Sequence, residues 1–493
     1  MRTPVFRLIR RSLRVAQASL HDRRPLPEML DEERELGISR RRFIAASATV
    51  AAGAALQGCV PVQRIASGST EPVLIVGAGI AGLTTGYRLQ QAGVPVRIID
   101  AQNRVGGRMF SLRDFFPDGQ VAELGGELID TNHSAIRGLA GEMGIELNDL
   151  AVEDPTLRTE VWYFGGQARS DRDVIEAFRP IAARIEEDLE TLEGDGDVTV
   201  AAPNNGQRLD TMTLAQWLDE AGVSGWIRSL LDVGYTTEFG LEPEEQSALN
   251  LLTMIDTNPD PFHIFGESDE RFHVRGGNDL IIKALASRLD GAIETTSRLE
   301  AVTARPDGSI ACSVRRGRSS IVITAPKVLL ALPFTLLREV RIDVPMSAEK
   351  KRTIDELGYG TNAKLMVGFS DRVWRNQHSS NGSVLTDLPF QLCWETSRAQ
   401  NGRSGILTNF TGGNHGLAIG SGTDREQAAR FTAELERVFS GVLAAREGMK
   451  EVRFHWPTNP FVKGSYACYK PGQWTSMRGL EGERAGNLHF AGE

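Results

Sequence analysis

Val73-Leu74-Ile75-Val76-Gly77-Ala78-Gly79-Ile80-Ala81-Gly82 is an apolar run that stops at a G-x-G-x-x-G turn and then reads as helix. A short β-branched run with turn glycines behind it has the pattern of a buried parallel strand. In such a unit Gly77 permits the tight turn, Gly79 lets backbone N–H groups approach a pyrophosphate, and Gly82 lets the helix pack close to the strand. The helix N-terminus then faces the phosphates with its partial positive charge. The helix is expected to run to about Gln91, with Gly93 as its stop. Val94 to Ile99 reads as the second strand, and Asp100 at its end lies near the spacing at which a carboxylate meets an adenosine ribose. The glycine triplet alone is weak evidence. Strand, turn, helix, strand and terminal acid in this order favour dinucleotide binding.

Directly behind that acid comes Arg104-Val105-Gly106-Gly107-Arg108, a loop able to set backbone N–H groups and a fixed cation against the same pyrophosphate. A surface turn with solvated arginines is the alternative, disfavoured by its position. Glu123-Leu124-Gly125-Gly126-Glu127-Leu128-Ile129-Asp130 repeats the close-approach glycine pair. With these three motifs the chain resembles the flavin-containing amine oxidase family, which includes monoamine, polyamine and L-amino acid oxidases, from about Pro72 to the last residue. The resemblance implies an α/β fold in which a Rossmann-like FAD-binding domain is interleaved with an α+β substrate domain. It also implies FAD rather than a nicotinamide cofactor, with Gly77, Gly79, Gly82, Asp100, Arg104, Gly106, Gly107, Arg108, Gly125 and Gly126 at the cofactor.

The division that follows assigns 72–150, 268–335 and 455–493 to the FAD-binding domain and 151–267 and 336–454 to the substrate domain. Ile175 to Leu192 and Thr213 to Leu218 carry apolar positions at helical spacing, so their aromatics read as helix core. Phe272 to Asn278 contains another glycine pair before a helix expected over Asp279 to Leu289. Ile293 to Val302 reads as one strand, and Val302 matches the family valine whose backbone meets the adenine. Ile321 to Thr324 and Val328 to Pro333 are further strands.

Asn362 to Phe369 alternates as a strand, with Ala363, Leu365, Val367 and Phe369 on one face and Lys364 on the other. A lysine opposite an apolar face is ordinarily solvated. The resemblance instead matches Lys364 to a lysine that holds a water at the flavin. Trp456 and Tyr466 match aromatic walls that would exclude water and orient an amine. Ser465 stands where monoamine oxidases carry the cysteine bonded to the flavin, so FAD is expected to be non-covalent. Many L-amino acid oxidases clamp the substrate carboxylate with an arginine at the place of Leu128. Asp130 falls where some polyamine oxidases hold a group near the amine chain, so a primary amine or polyamine is favoured over an amino acid. Asn487 to Glu493 resembles the family's F-A-G-E strand and turn, with Glu493 at the cofactor. The family continues there with a helix carrying a second aromatic wall, so a C-terminally truncated product is expected.

The N-terminus carries a different message. Residues 1–42 hold eleven arginines and no lysine and end in Ser39-Arg40-Arg41-Arg42-Phe43-Ile44, which resembles a twin-arginine export motif. The Ala-rich stretch from Phe43 to Leu56 is too short to span a bilayer as a mature helix. Residues 1–58 are therefore expected to be a signal peptide that engages the twin-arginine machinery, with 59–71 a linker and a periplasmic destination. Leu56-Gln57-Gly58-Cys59 resembles a lipoprotein processing box that would anchor Cys59 to lipid; a plain cleavable signal is the alternative. The whole chain of 493 residues has a net charge of −9, and loss of residues 1–58 would bring it to −14. That argues against nucleic acid. Cys312, Cys393 and Cys468 show no metal-ligand spacing, no structural disulfide is expected, and no metal is expected. The resulting expectation is an exported enzyme that oxidises a small-molecule primary amine or polyamine to an imine, with O2 reduced to peroxide. An L-amino acid oxidase, a flavin desaturase or dehydrogenase of the same fold, or a non-catalytic protein are the alternatives. Oligomeric state is not legible.

Overall fold

The computed structural model describes residues 71–152, 156–194 and 196–493. The twin-arginine stretch and Cys59 lie outside the described residues. A five-stranded parallel sheet organises the first half of the molecule, in the order Leu488–Phe490, Val328–Leu330, Val73–Val76, Val96–Ile99, Ile293–Glu294. The Val73–Val76 strand sits at its centre, with Ile75 opposite Leu329 on one side and Ile98 on the other. Leu74, Ile75 and Val76 are buried because helices cover one face and a second sheet the other. The helix Ile80–Gln91 follows the glycine turn at once, and the backbone leaves it through Ala92 and Gly93 at φ +76°.

The stretch expected as one strand over 293–302 is two. Ile293–Glu294 closes the parallel sheet, Thr296 turns at φ +51°, and Ser297–Ala304 joins a separate four-stranded sheet. The Thr296 and Ser297 N–H groups are taken by the Gln102 and Asp100 carbonyls, which pulls the chain out of the first sheet.

A seven-stranded sheet dominates the other half, in the order Glu451–His455, Ala363–Phe369, Gly405–Thr411, Leu392–Glu395, Val384–Thr386, Val161–Phe164, Gln167–Arg169. The Asp171–Glu190 helix, started by a capping box between Ser170 and Asp173, packs with Leu214–Glu220 and Trp226–Phe239 into one apolar cluster. All seven residues of Ala363–Phe369 are buried. Its Ala363, Leu365, Val367 and Phe369 face pack with Phe431 and Leu435. The opposite face meets Phe116, Ala122 and Leu124 through Met366. That second face is where the two halves join, and it carries Lys364.

Candidate active site

Three glycine loops converge at the C-terminal edge of the parallel sheet. Gly106 N donates to Ala78 O (2.8 Å) and Gly126 N to Arg108 O (3.0 Å), stacking the loops one on the next. A Cβ on Gly82 would lie 1.9 Å from Gly77 O, and one on Gly125 would lie 1.8 Å from Arg108 O, so both contacts require glycine. Gly79 differs: apart from its own chain neighbours, nothing lies within 4 Å of the place its Cβ would take. The helix behind it has neither a side-chain cap nor an acid in its first turn. An open glycine in front of uncapped N–H groups has the room and the donors that an anionic group requires. Asp100 accepts from Ala78 N and Gln102 N (both 2.8 Å), which orients it while leaving carboxylate lone pairs for a further donor. Burial pushes its carboxyl above the usual range.

The two arginines of the second loop are not free cations. Arg104 donates to Gly107 O (2.8 Å) and its guanidinium lies 4.0 Å from the Phe110 ring centroid. Arg108 donates to Ser465 O (2.6 Å) and Glu493 O (2.8 Å) and pairs with the Glu493 carboxylate, so it ties the loop to the C-terminal segment. The expectation for Val302 needs correction. Val302 is fully buried with strands on both sides, opposite Cys312 and Ile342, and its backbone has no access to the cleft. The cleft beside Gly77 and Ala101 is lined instead by Ser297, Arg298 and Leu299, where the strand begins.

Lys364 is 3% exposed, against the solvated lysine that alternation alone suggests. Its ammonium donates to Glu127 Oε2 (2.7 Å), Gly125 O (2.9 Å) and Glu123 O (3.1 Å), and lies 5.2 Å from the Trp394 ring centroid. Glu127, itself buried, accepts a second bond from Thr396 Oγ1 at 2.9 Å. Burial alone would raise the Glu127 carboxyl, but the Lys364 charge and hydrogen bond outweigh it and hold it below the usual carboxylate range. Behind the pair, Glu123 accepts from Asn278 N (2.8 Å) and Ser111 Oγ (2.8 Å) and sits 3.1 Å from His273 Nε2. This network locks the Glu123–Glu127 loop to the Asp279–Arg288 helix. The quoted Glu-Leu-Gly-Gly-Glu motif contained both acids, but only the fold shows that Glu127 belongs to Lys364.

Trp456 is buried and donates to Leu124 O at 3.0 Å, next to Gly125. Tyr466 OH donates to Thr237 O at 3.1 Å, and burial together with Glu238 pushes the phenol well above its usual range. Ser465 Oγ is 2.6 Å from Asn362 Oδ1. Asp130 is not turned toward Lys364. It accepts from Ser268 Oγ (3.0 Å) and Glu270 N (2.8 Å) and lines a cavity of about 290 Å3 with His133, Phe265 and Trp474. A larger cavity of about 510 Å3 lies on the Trp394 side, walled by Trp162, Phe262 and Leu392 and by the polar residues Glu160, Glu270 and Arg398. Sequence reading missed all three polar residues. No local sequence pattern marks them; in the structure the Glu270 backbone is held at φ +45°, a conformation rare outside glycine.

Residues 80–493 match the family described as flavin containing amine oxidoreductase. The chain belongs to that family. Its cofactor is FAD, and its fold is the α/β architecture of FAD-dependent amine oxidases. The chain is 25% identical over 445 residues to an L-amino-acid oxidase of Siganus canaliculatus, covering 85% of this chain and 80% of that one. Among solved structures, cyclohexylamine oxidase from Brevibacterium oxydans superposes with a TM-score of 0.74 at 19% identity, covering 86% and 93% of the two chains. Wild-type putrescine oxidase bound to putrescine superposes at 0.71 and 20% identity, covering 85% and 93%. Among the described residues no group of acids, histidines and cysteines is placed to hold a metal ion, and no helix is long and apolar enough to cross a membrane.

Proposed function

We propose that this flavin oxidoreductase oxidises the CH–NH bond of a small amine, such as a primary amine or polyamine, to an imine that water then hydrolyses to a carbonyl compound. FAD, when bound, would supply the two-electron chemistry, with O2 as the acceptor that is reduced to peroxide. The observation that carries the reading is the open space at Gly79 before an uncapped helix, joined by the stacked loops to a buried Lys364–Glu127 pair. Gly79 and the helix N-terminus would hold the pyrophosphate, Asp100 the ribose, and the Ser297–Leu299 backbone the adenine side of the cleft. Lys364, whose three donors go to Glu127 Oε2, Gly125 O and Glu123 O, would hold a water at the far end of the cofactor by exchanging one of the two carbonyls for it. Trp456 and Tyr466 would wall that end and exclude bulk solvent, so an amine meets a fixed, desolvated surface. An amino acid oxidase is the second reading, favoured by Arg398 in the wall of the large cavity.

We further propose, on the N-terminal sequence, that the protein leaves the cytoplasm folded by the twin-arginine route and resides in the periplasm. Purified protein should show flavin absorbance bands and release peroxide with at least one member of a panel of amines and L-amino acids. A flavin-loaded protein that yields no peroxide with any member would refute the oxidase reading. Cell fractionation with Arg41→Lys and Arg42→Lys together should strand the protein in the cytoplasm; unchanged export would refute that route.

A further inference from the structure

The narrow cleft beside Gly77, of about 50 Å3, is walled beyond the sheet edge by three segments far apart in the chain. Arg298 and Leu299 begin the Ser297–Ala304 strand, Leu336 and Glu339 come from the Phe334–Leu337 helix and the turn behind it, and Phe461 belongs to the turn that follows Trp456. One carboxylate joins all three. Glu339 accepts from Arg298 Nη2 at 2.9 Å through one oxygen and from Lys463 Nζ through the other. Chiefly the Lys463 hydrogen bond holds the Glu339 carboxyl below the usual carboxylate range, so it is ionised at neutral pH.

The turn carrying Lys463 is shaped to present that side chain. Asn459 O takes the N–H groups of Val462 (3.2 Å) and Lys463 (2.9 Å), Asn459 Oδ1 takes Phe461 N (2.9 Å), and Val462 O accepts from the buried Thr335 hydroxyl. Lys463 itself sits at φ +56°, a backbone region that side chains rarely adopt. Glycine would serve such a turn at less cost, so a lysine there is in keeping with a task for its ammonium. Both ion pairs are half-exposed, so they add little to the stability of the whole chain and are screened by salt. What sets them apart from other surface pairs is their place, on the solvent side of the cleft that Gly77 opens.

We propose that Glu339, with Arg298 and Lys463, is a latch that fixes the Pro460–Lys463 turn over the adenosine end of FAD and slows the release of the cofactor. The inference rests on the placement of the adenine side in this cleft, proposed above, and adds to it residues that act without touching the cofactor. Glu339 is a positioning residue: its carboxylate keeps the Pro460 and Phe461 wall beside Leu299 and Leu336. With both pairs broken, the charged link between this turn and the Ser297–Ala304 strand is gone, and that wall of the cleft moves more freely.

The test follows FAD release from the diluted holoenzyme by the rise in flavin fluorescence, at low salt and at about 0.5 M salt, where exposed pairs are screened. Glu339→Gln keeps the size of the side chain and removes its charge. It should release FAD ~5-fold faster than wild type at low salt, as expected for the loss of two exposed ion pairs, and the difference should close at high salt. Arg298→Gln with Lys463→Gln should reproduce the effect, and adding Glu339→Gln to that pair should add nothing, because all three remove the same interactions. Equal release from wild type and Glu339→Gln, or an acceleration of the same size at both salt concentrations, would overturn the latch. If the purified protein holds no flavin, the proposed function fails, and calorimetry with ADP, which carries the adenosine and pyrophosphate alone, decides the latch. Binding to Glu339→Gln should then be ~5-fold weaker than to wild type, and equal binding would overturn it.

Discussion

Replacing Glu127 by glutamine leaves the Lys364 ammonium buried with two backbone carbonyls and an amide oxygen in place of a carboxylate. Breaking a buried ion pair from one side costs about 3–5 kcal/mol, and the two remaining carbonyl acceptors put this case at the lower end, about 3 kcal/mol. With an unfolding entropy of about 2.1 cal/mol/K per residue, that corresponds to a fall of roughly 3 °C in the melting temperature of a chain this long. Lys364→Met alone should cost a similar amount by leaving Glu127 buried and unpaired. The double variant Lys364→Met with Glu127→Leu removes both charges from a site with Trp394 and apolar neighbours, and should melt closer to wild type than the sum of the single losses. Thermal scans of the four proteins, with flavin absorbance to confirm loading, read the coupling directly. Additive losses in the double variant, or a neutral Glu127→Gln, would refute the assignment of a desolvated, mutually dependent pair. The pH dependence has a fixed sign. Because the folded Glu127 carboxyl sits below its unfolded value, its stabilisation is present above about pH 4.5 and is lost as the pH falls through the folded value.

Gly79→Ala should leave melting of the flavin-free protein unchanged but reduce flavin content on purification, whereas Gly82→Ala should lower both, because its Cβ meets Gly77 O at 1.9 Å. Retained flavin in Gly79→Ala would argue against that cradle. The Glu238 carboxyl, pushed up to about 8 first by burial and then by Glu270 and Asp130, costs stability as the pH rises from its unfolded value toward 8. Glu238→Gln should therefore raise the melting temperature at pH 8 and leave it unchanged near pH 4; equal shifts at both would contradict the assignment. Acid precipitation should release all the flavin into the supernatant, because Ser465 offers no thiol and Cys468 is buried against Asn250; colour retained in the pellet would show a covalent bond.

Much of the nucleotide half was legible from residues 73–100, because strand, turn, helix and strand follow one another there and each is decided by neighbours a few positions away. The kink at Thr296 was not legible. Nothing in 293–302 marks it, and it arises from hydrogen bonds to Asp100 and Gln102, nearly two hundred residues earlier. That one turn moves Val302 into a closed sheet and gives the cleft to Leu299.

Sequence alone determined the parallel sheet, the glycine turn between its central strand and the helix, and which strand face carries Lys364, since all three follow from short-range pattern. Only the tertiary structure decided that this face is a junction between the two halves and not a solvated surface, that Glu127 neutralises the lysine, and that Asp130 turns to another cavity. Each of those outcomes is a contact between segments far apart in the chain, and the burial that shifts the Glu127 and Glu270 carboxyls exists only once those segments have closed on one another.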